Sequence, residues 1–186
     1  MGHRFDPKHV EKLDNPERRK MLPPDDILRL LDVHEDHTVA DIGCGPGYFA
    51  IPLARLTRAT VYGLDVSPEM LGLLRDKAKH EGITNLSLVE SHAERIKLPD
   101  DSVDRIICSL VLHEVDDIRQ ALSEFKRILR DGGKILLIEW EQKPMDMGPP
   151  LGERLDSEVL LREVETQGFH GEISRPNPNQ YIILAY

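Results

Sequence analysis

The sequence predicts an α/β fold: a doubly wound, mostly parallel sheet with helices on both faces. Three observations carry that expectation. From Asp25 onward, short apolar runs alternate with amphipathic segments of helical period. The first apolar run, "TVADIG", ends in the glycine-rich loop "GCGPG", at the place where such sheets put a ligand-binding turn. The chain closes on two strand-like runs, "HGEIS" and "QYIILAY". They are joined by "RPNPN", a turn signal that makes them a hairpin rather than a crossover.

The elements follow in order. "PPDDILRLLDV" opens with prolines and aspartates before Ile27, Leu28, Leu30 and Leu31, as a helix start should. After the first strand and its glycine loop, Pro52 is tolerable only in a first turn, so the next helix is expected to begin late. "TVYGLDV" is strand two. Ser67 then caps a helix with Pro68 at its first position and Met70, Leu71, Leu74 and Ala78 as its buried stripe. "NLSLVES" reads as strand three and "VDRIICSLVL" as strand four. A helix over "DDIRQALSEFKRIL" follows, with Gly132 and Gly133 expected to end it. "KILLIEW" is strand five. The proline- and glycine-rich "EQKPMDMGPPLGER" reads as a long loop of the kind that often carries function, and a helix around "DSEVLLREVETQ" precedes the hairpin.

Composition bounds the function. A chain of 186 residues is expected to form one domain, with residues 1–24 as an arm or lid ahead of a 25–186 core. The net charge of −9, with no basic block, disfavours DNA or RNA as the main partner. Two cysteines in apolar surroundings make neither a disulfide framework nor a zinc site, which suits a reducing cytoplasm. The charged N-terminus is no signal peptide, and no apolar run approaches the ~20 residues of a membrane span. The eight histidines lack metal-ligand spacing, so no metal is expected.

Spacing sharpens the glycine loop. A dinucleotide fingerprint requires Gly-x-Gly-x-x-Gly, but after Gly43 and Gly45 the third glycine is Gly47 and the required position is Tyr48. Asp41 precedes the loop. Asp65 ends strand two, where an acidic side chain can take both hydroxyls of a ribose.

At these residues the sequence resembles the class I S-adenosylmethionine-dependent methyltransferases, from about Leu28 to the end. "VADIGCGPG" looks like their first motif and "GLDVSPEML" like the acidic-ended second strand. "ESHAERIKLPDDSVDRI" looks like the third, and "RILRDGGKILLIEW" like the segment into strand five. The resemblance implies a Rossmann-like, seven-stranded sheet whose last strand is antiparallel, and S-adenosylmethionine as cofactor, leaving S-adenosylhomocysteine. It implies that Gly43, Gly45 and Gly47 pass under the methionine portion and that Asp41 holds the loop and, through water, the amino group. Asp65 would bind the ribose. Val66 would lie beside the adenine with Met70 flanking it, and Ala93 would meet the ring. His92 stands where the family has an acidic residue. Ser109 and Leu110 would border the sulfonium.

The cofactor is already activated, so the protein mainly aligns donor and acceptor, and a base is needed only for a protonated acceptor. "LVLHEVDD" supplies His113, the candidate base or acceptor contact. "IEWEQ" supplies Glu139, Trp140 and Glu141, whose plainer reading is a strand end, a packing residue and a solvated loop. Arg4 and Phe5 are candidate lid residues. "SLVL" replaces the Asn/Asp-Pro-Pro-aromatic stretch of amino-methylating DNA enzymes, Cys108 lacks the following proline of cytosine C5 enzymes, and arsenite methylation would need more thiols. "LPDDSVD" is nearest the branch that includes the quinone-biosynthesis C-methyltransferases. The expectation is a methyltransferase for a small-molecule acceptor, monomeric or homodimeric. A non-catalytic S-adenosylmethionine-binding module and a nicotinamide-dependent oxidoreductase are the rivals.

Overall fold

The structure is a computed structural model that describes residues 15–186. Its centre is one seven-stranded sheet in the order β3-β2-β1-β4-β5-β7-β6. The strands are β1 (Val39–Ile42), β2 (Val61–Asp65), β3 (Leu86–Glu90), β4 (Val103–Ser109), β5 (Leu129–Trp140), β6 (Gly171–Asn177) and β7 (Gln180–Ala185). β7 runs antiparallel to both β5 and β6, while the β1–β5 pairings are parallel, as expected. Strand order reverses between β1 and β4, so a cleft opens at their carboxyl ends.

The helices are α1 (Pro16–Met21), α2 (Pro24–Leu31), α3 (Ala50–Leu56), α4 (Pro68–His80), α5 (Ile118–Ile128) and α6 (Ser157–Thr166). Alternation along the central strands divides the core. Ile106, Cys108, Ile135 and Leu137 pack with α5 and α6, and Ile107, Leu136 and Ile138 pack with α2 and α3. α3 starts only at Ala50, which leaves Pro52 in its first turn where its missing N–H costs nothing. The Ser67 hydroxyl accepts the Met70 N–H at 3.3 Å and Pro68 opens α4.

Two boundaries differ from the sequence reading. α5 ends at Ile128, before the glycines, because Leu129 is drawn into the sheet opposite Val103. A register shift follows before Arg105 pairs Lys134, and Gly132, at φ 74°, serves that bulge rather than a helix end. β4 stops at Ser109. Leu110 takes a left-handed φ of 60°, and residues 112–114 form a single 3-10 turn. α1 has no counterpart in the sequence reading; Asn15 caps it, and Leu22 just beyond it is fully buried against the α2–α3 layer. Arg4 and Phe5 lie outside the described residues.

Candidate functional site

The glycine loop sits at the carboxyl end of β1 and is tied to β2. The N–H groups of Gly43 and Cys44 both donate to the Leu64 carbonyl, at 2.8 and 2.9 Å. The Gly45 N–H donates to Asp65 Oδ2 at 2.8 Å, and the Ser67 N–H to Asp65 Oδ1 at 2.9 Å. Asp65 thus spans from the loop to the start of α4, and the Val66 N–H is a third backbone donor to its carboxylate. Burial raises its carboxyl above the ordinary value, against the pull of these backbone donors. Gly47 has φ 93°, and a Cβ there would stand 2.3 Å from Leu74 Cδ1. A Cβ on Gly43 would stand 2.2 Å from Val111 Cγ2. The loop therefore needs glycine for packing as well as for backbone freedom.

Asp41 is 2% exposed. The Ala50 N–H, at the start of α3, hydrogen-bonds its carboxyl, yet Oδ2 is buried without a hydrogen-bond partner among the described residues. Burial and the nearby Asp65 push its carboxyl up to about 7, partly offset by the Arg18 charge. Arg18 lies on α1 with its guanidinium 4.3 Å from the centre of the Tyr48 ring, and the Tyr48 hydroxyl donates to the Leu22 carbonyl at 2.7 Å. α1 is thereby clamped beside the loop. Ser109, 8% exposed at the end of β4, likewise has a buried hydroxyl without a partner among the described residues. Asp41 and Ile107 are neighbours in register. Ser109, two residues on, therefore shares a sheet face with Asp41. Two orphaned polar atoms on adjacent strands, beside a glycine loop, fit the polar groups of a bound ligand.

The other predicted contacts surround the same cleft. Val66 is 37% exposed beside Asp65, whereas Met70 is buried on the inner stripe of α4. The Ser91 N–H donates to the Asp65 carbonyl at 3.0 Å, which brings the 91–93 turn to the rim. There Ala93 is buried and His92 exposed. Leu110 packs partly against the α2–α3 layer.

Past β4, His113 is held by Glu139 at the end of β5. Its ring Nδ1 lies 2.8 Å from Glu139 Oε2, and its main-chain N–H donates to Oε1 at 3.3 Å. Glu139 is 1% exposed. A carboxylate at Nδ1 makes that nitrogen the donor and leaves Nε2 as the ring's free basic position. Burial by itself would lower the imidazole, but the Glu139 charge and hydrogen bond, with Glu114 and Glu153, outweigh it and raise the value.

The 141–155 segment is pinned rather than open. Arg154, buried, donates to the carbonyls of Pro149 and Met147 at 2.8 Å each and to that of Lys143. Gly148 packs on the Trp140 indole so closely that a Cβ would be 2.8 Å from the ring, which uses that face for packing. Glu141 pairs with Arg175. Arg18, Glu153 and Arg154 escape the sequence reading, and Glu139 reads there as a plain strand end. Its one signal is an acidic residue closing an otherwise apolar strand.

Residues 40–137, just over half of the chain, match the family described as "Methyltransferase domain". The chain belongs to the class I S-adenosylmethionine-dependent methyltransferases. A methyltransferase from Aquifex aeolicus described as S-adenosylmethionine-dependent superposes with a TM-score of 0.90, at 27% identity over 98% of both chains. The demethylmenaquinone methyltransferase of Geobacillus kaustophilus is 32% identical over 67% of this chain and 54% of its own length. The uncharacterised YcgJ methyltransferase of Bacillus subtilis is 30% identical over 61% and 44%. The chain spans about half the length of the curated relatives it matches.

Proposed function

We propose that this methyltransferase moves the methyl group of S-adenosylmethionine to a small-molecule acceptor by direct in-line displacement, with His113 as the acceptor-side base. The observation that carries the cofactor half is the pair of buried atoms left without partners among the described residues, Asp41 Oδ2 and Ser109 Oγ, flanking the glycine loop. When bound, S-adenosylmethionine supplies an electrophilic methyl group on a sulfonium. The chain's own residues bind, orient and shield it. Gly43, Gly45 and Gly47 lie along the methionine portion and Asp41 receives its ammonium. Asp65, held at the end of β2 by backbone donors, takes the ribose hydroxyls. Val66, Met70, His92 and Ala93 surround the adenine, and Ser109 and Leu110 border the sulfur.

His113, with Nδ1 committed to Glu139, presents Nε2 to an acceptor proton. The quinone-biosynthesis relatives support a small-molecule acceptor, and the net charge of −9 argues against a nucleic acid. Calorimetric titration with S-adenosylhomocysteine tests the cofactor half, with binding expected in the micromolar range or tighter, about −8 kcal/mol. Absence of binding, or recovery of a nicotinamide dinucleotide from the purified protein, defeats the reading. Tight binding with no transfer to any acceptor would instead mark a non-catalytic binding module.

A further inference from the structure

The two edges of the sheet are finished differently. β6, at one end of the strand order, carries Glu172, Arg175 and Pro176 and shifts register against β7 between Ser174 and Asn177. Charge, proline and a bulge are the devices that keep a free edge from pairing with another chain. β3, at the other end, reads Leu-Ser-Leu-Val-Glu and has no such device before its last residue. Its register with β2 is unbroken. Every residue in it is half-buried or exposed, whereas β1 is buried throughout.

The unused main-chain groups of β3 can be named. The Asn85 carbonyl accepts from the Val61 N–H at 2.9 Å, and the Ser91 N–H donates to the Asp65 carbonyl at 3.0 Å, so the odd-numbered residues face β2. Successive residues of a strand point their main-chain groups to opposite sides. Leu86, Leu88 and Glu90 therefore turn N–H and C=O outward, where no described residue pairs with them. The side chains of Leu86 and Leu88 pack toward α4, against Leu71, Leu74 and Ala78, and Glu90 lies on the same face by the period of two. Beside the two leucines runs an open groove of about 510 Å³ whose charged lining is Arg75 and Lys79 of α4. No carboxylate lines it, and no ion pair among the described residues engages Arg75, Lys79 or Glu90.

We propose that β3 pairs with β3 of a second copy of this chain, antiparallel about a two-fold axis through Leu88, so that two seven-stranded sheets join into one. The register follows from which groups are free. With Leu88 opposite Leu88, Leu86 lies opposite Glu90 in both directions, and every outward N–H and C=O finds a partner. Any other register that sets outward residues against each other leaves one of them beyond the end of the partner strand. Residues directly opposite share a face of the sheet, so the partner's Glu90 lies beside Leu86, in the groove that Arg75 and Lys79 line. The same exchange is made on the other side of the axis. The edge is thus complementary to itself in hydrogen bonding, apolar surface and charge, as an isologous contact requires. An unrelated strand would have to bring its own acid to this position; β3 already carries it. Antiparallel pairing sends the two clefts to opposite ends of the joined sheet, so the inference does not rest on what the clefts bind.

Sedimentation velocity of the full chain from about 1 to about 200 µM tests the proposal and should show a monomer passing into a dimer. Amide exchange read by NMR at the two ends of that range should slow at Leu86, Leu88 and Glu90 in the dimer. E90K, and separately R75E with K79E, should each weaken the dimer tenfold or more, and the three changes together should restore most of the loss. Every variant is checked for an unchanged circular dichroism spectrum and unchanged S-adenosylhomocysteine affinity. A chain that stays monomeric over the whole range overturns the proposal. So does a dimer whose β3 amides exchange as fast as in the monomer, a dimer untouched by the charge reversals, or a charge swap that fails to restore association.

Discussion

Replacing Asp41 by asparagine removes a charge that the fold holds at a cost. In the folded chain the Asp41 carboxyl is pushed from 3.8 to about 7. At 1.36 kcal/mol per pH unit, that difference corresponds to about 4 kcal/mol of stability lost at full ionisation. The unfolded chain gives up this proton first, near its ordinary value, while the folded chain keeps it until about 7. Stability therefore falls as pH rises from about 4 to about 7 and is flat above.

The amide that D41N introduces does not titrate, so the stability of the variant relative to wild type should climb by roughly 2 kcal/mol between about pH 5 and pH 7. For a chain of this size that is a relative rise in melting temperature of roughly 4–8 °C. The hydrogen-bond deficit of the new amide is a constant offset and leaves the slope unchanged. Scanning calorimetry of both cofactor-free chains at several pH values reads it directly. A gap that does not vary with pH would refute the argument. The same carboxyl should shed a proton when a cofactor ammonium arrives, so the wild-type binding enthalpy should vary with the ionisation enthalpy of the buffer and that of D41N should not.

Other perturbations follow from the same geometry. Asp65→Ala removes the acceptor of the Gly45 and Ser67 N–H groups as well as the proposed ribose contact, and S-adenosylhomocysteine affinity should fall at least 100-fold, about 3 kcal/mol; unchanged affinity by calorimetry would remove Asp65 from the site. Gly47→Ala forces a methyl group toward the fully buried Leu74 at φ 93° and should destabilise by about 3 kcal/mol in urea. Because the His113 imidazole is raised, its pairing with Glu139 stabilises fully below about 6.5 and fades as pH climbs through the folded value. Glu139→Gln should therefore cost about 2 kcal/mol at pH 6 and less at pH 9, and lower the imidazole value in an NMR titration. Arg154→Ala frees three carbonyls, so amide exchange over residues 143–149 should quicken while that of β1 and β4 stays slow.

The fold is largely legible in the sequence because each element carries its own local cause. Pro52 delays α3, Ser67 and Pro68 start α4, and the apolar strand runs can only be buried on both faces. The glycine spacing with Asp41 and Asp65 points to the cofactor side for the same reason, since loop glycines and strand-end acids act through nearby backbone. The end of α5 is not legible in this way, because Leu129 leaves the helix for the sheet opposite Val103, a partner from another part of the chain.

What the sequence determined alone was therefore the strand–helix alternation, the terminal hairpin and the glycine loop, all products of short-range stereochemistry and hydrophobic period. Tertiary structure decided the rest. It made Glu139 the partner of His113, turned the 141–155 segment into a wall stapled by Arg154, and set Arg18 over Tyr48. It also left Asp41 and Ser109 with buried oxygens that no described residue satisfies. Those facts depend on burial and on distances between residues far apart in the chain, where desolvation rather than local preference sets the chemistry.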